Sequence, residues 1–595
     1  MVIPMRIVRS LLLGLALALG IPASGRADPS GLAWQPFADA VFARARAENR
    51  YVLLHMAAVW CHWCHVMEGT TYRDPAVRDL IDRRFIPVRV DQDSRPDLSY
   101  RYERWGWPAT IMFDADGNEI FKRQGYLPPE LFAKLLQAVI DDPSALPSTD
   151  PDLDIRLDTV QLSAEQRAGL DAILRESYDA QHGGFGDIHR FLQPEAVEWA
   201  LLRGRDGQPP YAEMAKRTLD NARKLIDPVW GGMYQYSDRL DWSGPHYEKL
   251  MNIQLAALRL YGLQHASQPS AEALAAATAV YRYLMNHLRS PEGAFYTSQD
   301  ADVDARLTGQ TFYALPAEGR ARVAAPAIDR NRYARENGWA IMGLTAYYDA
   351  TGETEARAAA VGAADWVLAH RRTPGGGFGH GSAADADAYL ADNIAMAEAF
   401  LALHRSTGAR RWLDWAARTA RYVAERFRDE GGGFHAQRPP ADARGVLQKP
   451  VKQLEENVTA VRVFNLLSHY LGDPQLLRLA EHGMSYLAAF AELEGFFPGI
   501  LLADHEIGHP PVHVAVVGGK DDPKAAALYA AARAYPARYL RIEWWDRREG
   551  PLPNADVRYP ELPESAAFAC ADKLCSLPVF AADEVAQAVA RVDRR

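Results

Sequence analysis

The chain has 595 residues, enough for two to four domains that each bury their own core. Its net charge of −10 argues against nucleic acid as a partner, because no basic patch rich in aromatic residues offsets it. Hydrophobic residues make up 48% of the chain, with 14 Trp and 26 Tyr, which is typical of a large globular protein.

The first 27 residues have the pattern of a secretory signal peptide. Arg6 and Arg9 supply a positively charged start, and residues 11–21 are a short apolar run. Gly25 and Ala27 offer small residues at the two positions that a signal peptidase reads. We predict cleavage after Ala27 and a periplasmic or secreted protein; an uncleaved anchor is the alternative. No other run is long enough to span a bilayer, so no stable membrane span is expected after cleavage.

The strongest chemical motif is the pair Cys61 and Cys64, two of the four cysteines in the chain. The apolar segment 51–59 predicts a buried strand, and a helix can begin at the motif. A helix N-terminus stabilises negative charge, so Cys61 is expected to attack as a thiolate and Cys64 to resolve the mixed disulfide. A protonated His62 would strengthen this effect. The alternatives are haem attachment, with His65 as part of the motif, and a zinc site formed with neighbouring histidines.

The surrounding pattern predicts a thioredoxin-like domain over residues 28–145. Strands and helices alternate, and Pro108 precedes the predicted strand 111–113, where an X-Pro bond is a candidate cis peptide. Pro108 and Trp60 are expected to shape the groove that receives a substrate.

His55 stands six residues before the first cysteine, where common thioredoxins carry a buried aspartate used in proton transfer. Two interpretations stay open for this residue. It is either a neutral histidine packed in the core or the proton acceptor for Cys64.

The middle of the chain repeats a helical hairpin. After a linker rich in Pro, Ser and Asp at 142–151, Ala- and Leu-rich stretches alternate with six glycine–aromatic turns. The turns lie at 183–186, 231–234, 292–296, 375–378, 431–434 and 494–497. Their spacing leaves room for two helices each, which predicts an (α/α)6 toroid over 150–505. The turn aromatics are expected around the mouth of the toroid, facing a sugar; the alternative is that they pack the turns.

The last part of the chain, 510–595, predicts a small α/β segment. Strands are expected at 512–517, 538–544 and 565–569, with one helix between the first two. Cys570 and Cys575 are expected to form a structural disulfide. A relay that exchanges with the first cysteine pair is the alternative.

Two polar clusters are candidates for a pocket in the toroid. His246 and Glu248 have the side chains of a general acid/base pair, and Asp300 or Asp302 could supply the second carboxylate that glycoside hydrolysis needs. A buried ion network between hairpins is the alternative for the first cluster. The spacing of Asp300, Asp302 and Asp304 resembles a calcium loop, but the positions that require Gly and Glu carry other residues. We therefore predict neither a metal nor a cofactor.

Several motifs resemble the spermatogenesis-associated thioredoxin-domain proteins. The matching segments are 60–68 (WCHWCHVME), 231–250 (GGMYQYSDRLDWSGPHYEKL), 293–302 (GAFYTSQDAD) and the closing segment 570–578 with its two cysteines. The resemblance covers nearly the whole predicted mature chain. It implies a thioredoxin-like domain followed by a six-hairpin toroid like that of sugar enzymes, and it implies no particular substrate.

Three functions follow as hypotheses. The first is a thiol–disulfide oxidoreductase of the cell envelope, with protein thiols or disulfides, or a dedicated reductant, as partners. The second is a carbohydrate-active enzyme, similar to a glycosidase or sugar epimerase, that the thioredoxin-like domain regulates. The third is a protein whose toroid binds a glycan or another partner without catalysis.

Overall fold

The computed structural model describes residues 30–144, 146, 153–439, 443–493, 495–571 and 574–593. The predicted signal peptide and its cleavage point lie outside these residues. Within them, no helix combines the length and the apolar character needed to cross a membrane. Three units follow one another: a sheet with helices on both faces, a ring of helices, and a second, smaller sheet.

The N-terminal unit is thioredoxin-like, as predicted. Its sheet has the order β2-β1-β3-β4, with β1 parallel to β2 and antiparallel to β3, and with β3 antiparallel to β4. The strands are β1 (Tyr51–Ala57), β2 (Phe85–Asp91), β3 (Ala109–Phe113) and β4 (Glu119–Gln124). The helices are α1 (Asp39–Glu48), α2 (His62–Gly69), α3 (Pro75–Arg84), α4 (Pro96–Tyr102) and α5 (Pro129–Asp141). Separate apolar clusters cover the two faces, so β1 is buried on both sides, as its continuous apolar sequence predicts.

The middle unit is built almost entirely from helices. They are α6 (Ala164–Glu176), α7 (Pro194–Arg205), α8 (Pro209–Ala222), α9 (Met251–Ser267), α10 (Ala271–Tyr283), α11 (Gly309–Tyr313), α12 (Ala317–Arg320), α13 (Ala334–Thr351), α14 (Thr354–His370), α15 (Leu390–Thr407), α16 (Arg410–Phe427), α17 (Leu454–Leu471), α18 (Pro474–Phe490) and α19 (Pro498–Gly508). Short strands lie between α8 and α13: β5 (Tyr236–Ser237), β6 (Pro245–His246), β7 (Lys249–Leu250), β8 (Ser298–Gln299) and β9 (Ile328–Asp329).

Six of these helices form a closed inner ring. Contacts run from α7 to α9, α13, α15, α17 and α19, and then from α19 back to α7. The first helix, α6, packs on the last inner helix and completes the sixth hairpin. The predicted (α/α)6 toroid is therefore confirmed. Small residues let inner helices approach closely: a Cβ at Gly338 on α13 would lie 3.0 Å from the carbonyl carbon of Ala395 on α15.

The aromatic residues of the first five turns are buried in the toroid core, so the expectation that they line its mouth is wrong for these turns. Phe496 and Phe497 of the sixth turn are half-buried. Phe185, Phe295, Phe378 and Phe434 are at most 2% exposed. Each forms a short β-bridge with a residue just after the preceding helix, and this bridge turns the side chain inward. These four side chains pack the turns, as the alternative interpretation predicted. Glu494, at the start of the sixth turn, lies outside the described residues.

An amide side chain on the next inner helix clamps four of these turns. Asn337 accepts a hydrogen bond from the backbone N–H of Phe295 at 2.8 Å and donates to its carbonyl at 3.2 Å. The same two-way clamp joins Gln254 to Met233, Asn393 to Phe378, and Asn457 to Phe434. Each clamp satisfies two buried backbone groups that the irregular turn leaves outside any ladder.

The C-terminal unit repeats the sheet topology of the N-terminal one. Its order is β11-β10-β12-β13, with β10 parallel to β11 and antiparallel to β12. The elements are β10 (Val512–Val517), α20 (Pro523–Arg533), β11 (Leu540–Trp545), β12 (Ala566–Ala571), β13 (Leu574–Cys575) and α21 (Ala582–Asp593). The segment predicted as a small α/β tail thus has the strand arrangement of a second thioredoxin-like unit, and it has no cysteine between β10 and α20.

The two sheet units sit at opposite ends of the inner helices. Arg335, at the start of α13, donates to the hydroxyl of Tyr100 in the N-terminal unit at 3.1 Å. Near the end of the same helix, the carbonyl of Tyr348 accepts from Arg533 of the C-terminal unit at 2.8 Å. The N-terminal unit therefore covers the mouth formed by the first turns of the inner helices.

Candidate functional site

The redox motif occupies the start of α2. Cys61 is the N-cap residue, and its sulfur accepts a hydrogen bond from the backbone N–H of Cys64 at 3.1 Å. The two cysteines form a disulfide. When it is reduced, the helix N-terminus and this N–H both stabilise a thiolate at Cys61, because they direct positive charge at its sulfur.

The disulfide is covered by the toroid. Cys61 is 4% exposed and Cys64 fully buried, in a small apolar cluster that Leu250 of the toroid joins. The carbonyl of Trp60 also accepts from the backbone N–H of Ala301, on a toroid loop, at 3.5 Å. In this arrangement a large substrate has no direct approach to Cys61.

The two residues predicted to shape the groove lie beside the disulfide. Trp60 belongs to its apolar cluster and donates from its ring N–H to Asp93 at 2.7 Å. The bond between Trp107 and Pro108 is cis, and Trp107 packs against the same cluster. The structure thus places both predicted groove residues at the redox centre.

His55 lies behind the redox helix in the core. Its ring packs against Trp34 and Tyr72, with ring centroids 5.8 and 4.9 Å apart, and its Nε2 is 3.7 Å from the Glu68 carboxylate. Among the residues that the structure describes, neither ring nitrogen has a hydrogen-bond partner. His55 is therefore packed among aromatic rings beside one carboxylate. A role in proton transfer to Cys64 stays a prediction.

Three of the four toroid candidates face the redox helix rather than the toroid cavity. His62 on α2 donates from Nδ1 to Asp302 at 2.5 Å, and Nδ1 of His65 lies 3.9 Å from Asp300. The hydrogen bond to Asp302 raises the pKa of His62. The negative charge of Glu248 also raises the pKa of His62. The motif histidines and the toroid carboxylates, which are far apart in sequence, thus form one cluster at the junction.

His246, the fourth toroid candidate, and the nearby Lys249 lie in different environments. His246 stacks on Tyr236 with ring centroids 4.1 Å apart, and burial lowers its pKa. Lys249 instead bonds Asp227 at 2.8 Å, which also binds Arg320. The buried ion network proposed as the alternative for this segment therefore exists around Lys249, one residue beyond Glu248.

A second set of carboxylates lies on the other side of Trp60. Asp91 ends β2, Asp93 lies in the turn that follows, and their ligand atoms lie within 4.8 Å of Asp329 on toroid strand β9. Burial, together with the charge of nearby Glu336, raises the pKa of Asp93 to about 7. Burial also raises the pKa values of Asp91 and Asp329.

The covered mouth encloses a cavity of about 500 Å³. Trp107 of the N-terminal unit and Trp339 of the toroid line it, with the carboxylates of Glu195, Glu398 and Glu456. Burial raises the pKa of Glu456 to about 8. Aromatic faces together with carboxylic acids can bind a sugar or another polyhydroxylated molecule.

Sequence reasoning missed the acidic residues of this mouth, although a repeat marks them. Three inner helices carry an acid followed by asparagine in their first turn: Glu336-Asn337, Asp392-Asn393 and Glu456-Asn457. The asparagine clamps a turn and the preceding acid lies at the mouth. Asp392, for example, accepts from His380 at 2.9 Å, and the other ring nitrogen of His380 donates to the carbonyl of Asp93 at 2.6 Å.

The second cysteine pair is also a disulfide. Cys570 on β12 and Cys575 on β13 are directly opposite in the register. Cys570 is buried near Tyr559, whereas Cys575 is exposed. This pair lies in the C-terminal unit, at the far end of the inner helices from Cys61 and Cys64.

Fold and site define a thioredoxin-like domain with a Cys-x-x-Cys disulfide, seated on an (α/α)6 toroid. Family models agree. Residues 26–141 match a thioredoxin-type family described as a protein of unknown function, DUF255, and residues 331–482 match the beta-L-arabinofuranosidase GH127 catalytic domain.

Comparison with individual proteins confirms the resemblance found in the motifs. Spermatogenesis-associated protein 20 of Mus musculus is 27% identical over 307 residues, which cover 45% of this chain and 38% of that protein. The thiol:disulfide interchange protein DsbD of Ralstonia nicotianae is 38% identical over 109 residues, 18% of each chain. Among solved structures, D-mannose isomerase aligns with a TM-score of 0.45 at 12% identity, over 61% of this chain and 99% of that one.

Proposed function

We propose that the protein is a thiol–disulfide oxidoreductase of the cell envelope that acts through Cys61 and Cys64. The observation that carries the proposal is the position of the pair: an N-cap cysteine bonded to a second cysteine in the first turn of α2. The likeness of this part of the chain to a thiol:disulfide interchange protein supports the same chemistry.

The exchange proceeds in two steps. The Cys61 thiolate attacks one sulfur of a substrate disulfide, so that a mixed disulfide forms and the first substrate thiolate leaves. Cys64 then attacks the Cys61 sulfur, which releases the second substrate thiol and forms the Cys61–Cys64 disulfide. Two electrons have passed to the substrate, and a dedicated dithiol reductant returns them. Run in reverse, the same steps oxidise a substrate dithiol.

The toroid controls access in this proposal. Because Cys61 is 4% exposed beneath Leu250, a protein substrate reaches it only when the N-terminal unit moves from the mouth. A location outside the cytoplasm is part of the proposal. Its support is the pattern of the first 27 residues, together with two disulfides, which persist in oxidising compartments.

The reduction potential of the Cys61–Cys64 pair tests the proposal. In a protein whose Cys570 and Cys575 are replaced by Ser, we expect one reversible two-electron couple on titration with reduced and oxidised dithiothreitol. Cys64→Ser should accumulate a mixed disulfide with a labelled disulfide peptide, whereas Cys61→Ser should not. No reversible couple, or equal trapping by both single variants, would contradict the proposal.

A sugar-binding toroid is the second candidate, and the cavity of about 500 Å³ with its Trp and Glu lining favours it. The match of residues 331–482 to the GH127 catalytic domain points the same way. A panel of mono- and disaccharides should raise the melting temperature for at least one sugar, and Trp339→Ala should remove the shift. Product formation would then separate catalysis from binding, while a flat panel would rule out this candidate for the sugars used.

A further inference from the structure

The junction between the redox helix and the toroid holds a set of side chains with the spacing of a metal site. His65, Asp300 and Asp302 each offer one ligand atom, and these atoms all lie within 4.8 Å of one another. Two ligands bound to one Zn²⁺ at about 2.1 Å are at most about 4.2 Å apart. The 3.9 Å between His65 and Asp300 already meets this limit.

Backbone groups orient both carboxylates toward the histidines. One oxygen of Asp300 accepts the backbone N–H of Asp302 at 3.1 Å, and one oxygen of Asp302 accepts that of Gly309 at 2.7 Å. The other oxygen of each carboxylate is the one near a histidine: Asp302 accepts from His62, and Asp300 faces His65. Carboxylates held by hydrogen bonds in this way are typical of metal ligands.

Glu248 provides an independent indication. It is 4% exposed, and its Oε2 has no hydrogen-bond partner among the described residues. Lys249 pairs with Gln299 in the antiparallel register of β7 and β8, so Glu248, which precedes β7, and Asp300, which follows β8, flank the same end of this pair. The Glu248 carboxyl group lies close enough to Asp302 and to the backbone N–H of His62 to interact with both. A buried carboxyl group, one oxygen of which lacks a hydrogen-bond partner among the described residues, therefore lies beside this cluster.

We infer that His65, Asp300, Asp302 and Glu248 bind a divalent first-row transition ion of the Zn²⁺ or Mn²⁺ class, with His62 holding Asp302 in position. One imidazole with several carboxylates suits these ions better than Ca²⁺ or Mg²⁺, which prefer oxygen ligands alone. The His65 side chain is 30% exposed, which gives a hydrated ion a path into the site.

The ion would join the two units of the junction. His62 and His65 belong to α2, while the carboxylates lie just before β7 and in the loop after β8. A bound cation would neutralise buried negative charge and fix the redox helix on the toroid.

The other carboxylate group, Asp91 with Asp93 and Asp329, has no nitrogen ligand, and Arg335 lies 3.8 Å from Asp93. We therefore assign it no ion. The inference does not depend on the proposed redox function.

Isothermal titration of the full-length mature protein with Zn²⁺ alone and with Mn²⁺ alone tests the site. The protein is kept oxidised, so that all four cysteines are in disulfides and no thiolate can bind metal. We expect one ion per chain. Asp300→Asn and His65→Ala should abolish this binding, and His62→Ala should weaken it by about 10–100-fold, as for residues that hold a ligand in place.

Asp304→Asn is the matched control, because Asp304 is exposed on the same loop and its carboxylate bonds the backbone of Arg306 and Leu307. It should bind the ion like the unchanged protein. Circular dichroism and melting in EDTA establish that each variant is folded. Pulsed EPR of the Mn²⁺ complex of the unchanged protein should show coupling to an imidazole nitrogen, and the Mn²⁺ complex of Asp304→Asn should show the same coupling. Stoichiometric binding that survives in Asp300→Asn and His65→Ala, binding of Ca²⁺ or Mg²⁺ alone, or no binding at all would overturn the inference.

Discussion

At the scale of single residues, the amide clamps explain why the turns repeat so regularly. One Asn side chain satisfies both backbone groups of a buried aromatic, so the turn needs no longer ladder to be buried. The glycine–aromatic pattern could be predicted from sequence, but the clamp could not, because its two members are 15 to 42 residues apart. Only the repeated acid–Asn pairs in the inner helices hint at it.

Replacing Asn393 with Leu should destabilise the toroid by about 1–3 kcal/mol. The Phe378 N–H and carbonyl would stay buried without partners, and an unsatisfied buried group costs this much. Urea unfolding followed by tryptophan fluorescence measures the change. Asn221→Ala is the control, because Asn221 is half-buried on the outer helix α8 and its side chain donates to the backbone carbonyl of Arg217 in its own helix. Equal stability of the two variants would contradict the clamp's contribution.

At the scale of elements, α2 shows what local sequence can and cannot predict. The apolar run followed by a cysteine pair predicts β1, the start of the helix and the N-cap position of Cys61, because all of these depend on neighbouring residues. The surroundings of His62 and His65 depend on carboxylates more than 200 residues further along the chain. Sequence reasoning treated these histidines as modifiers of the cysteines and treated the carboxylates as part of a sugar pocket.

Asp93, which follows β2, should make the stability of the protein depend on pH. In the folded protein the pKa of Asp93 is about 7, raised by burial, whereas an exposed aspartate titrates near 4. The folded state therefore binds more protons than the unfolded state between these values, so this group makes the free energy of unfolding fall as the pH rises from about 4 to about 7.

Asp93→Asn should remove this contribution while keeping an acceptor for the Trp60 ring N–H. We expect the fall in melting temperature between pH 5 and pH 8 to be smaller by a few degrees than in the unchanged protein, since about 1 kcal/mol shifts the midpoint by roughly 2–4 °C in a large domain. Calorimetry at both pH values measures it, with the exposed Asp82→Asn as the control. The same fall in melting temperature in the unchanged protein and in both variants would show that folding does not raise the pKa of Asp93.

At the scale of the whole molecule, the toroid separates two sheets of the same topology. The inner helix α13 has 18 residues, which corresponds to about 27 Å, and it touches the N-terminal unit at its start and the C-terminal unit near its end. Helix periodicity and turn spacing were enough to predict the ring. The likeness of the two sheets was not predicted, because strand order depends on pairing between distant segments and the C-terminal unit lacks the cysteine pair that marks the first.

This separation decides between the two roles considered for the second disulfide. Direct exchange between Cys61–Cys64 and Cys570–Cys575 requires sulfur atoms in contact, and the length of the toroid lies between them. We therefore expect Cys570→Ser/Cys575→Ser to leave the reduction potential of the first pair and its rate of reduction by dithiothreitol unchanged. The measurement is a redox titration of both proteins with mass-spectrometric readout of each pair. A shift of about 30 mV or more, which is a tenfold change in the equilibrium constant for two electrons, would show that the pairs are coupled through the helices after all.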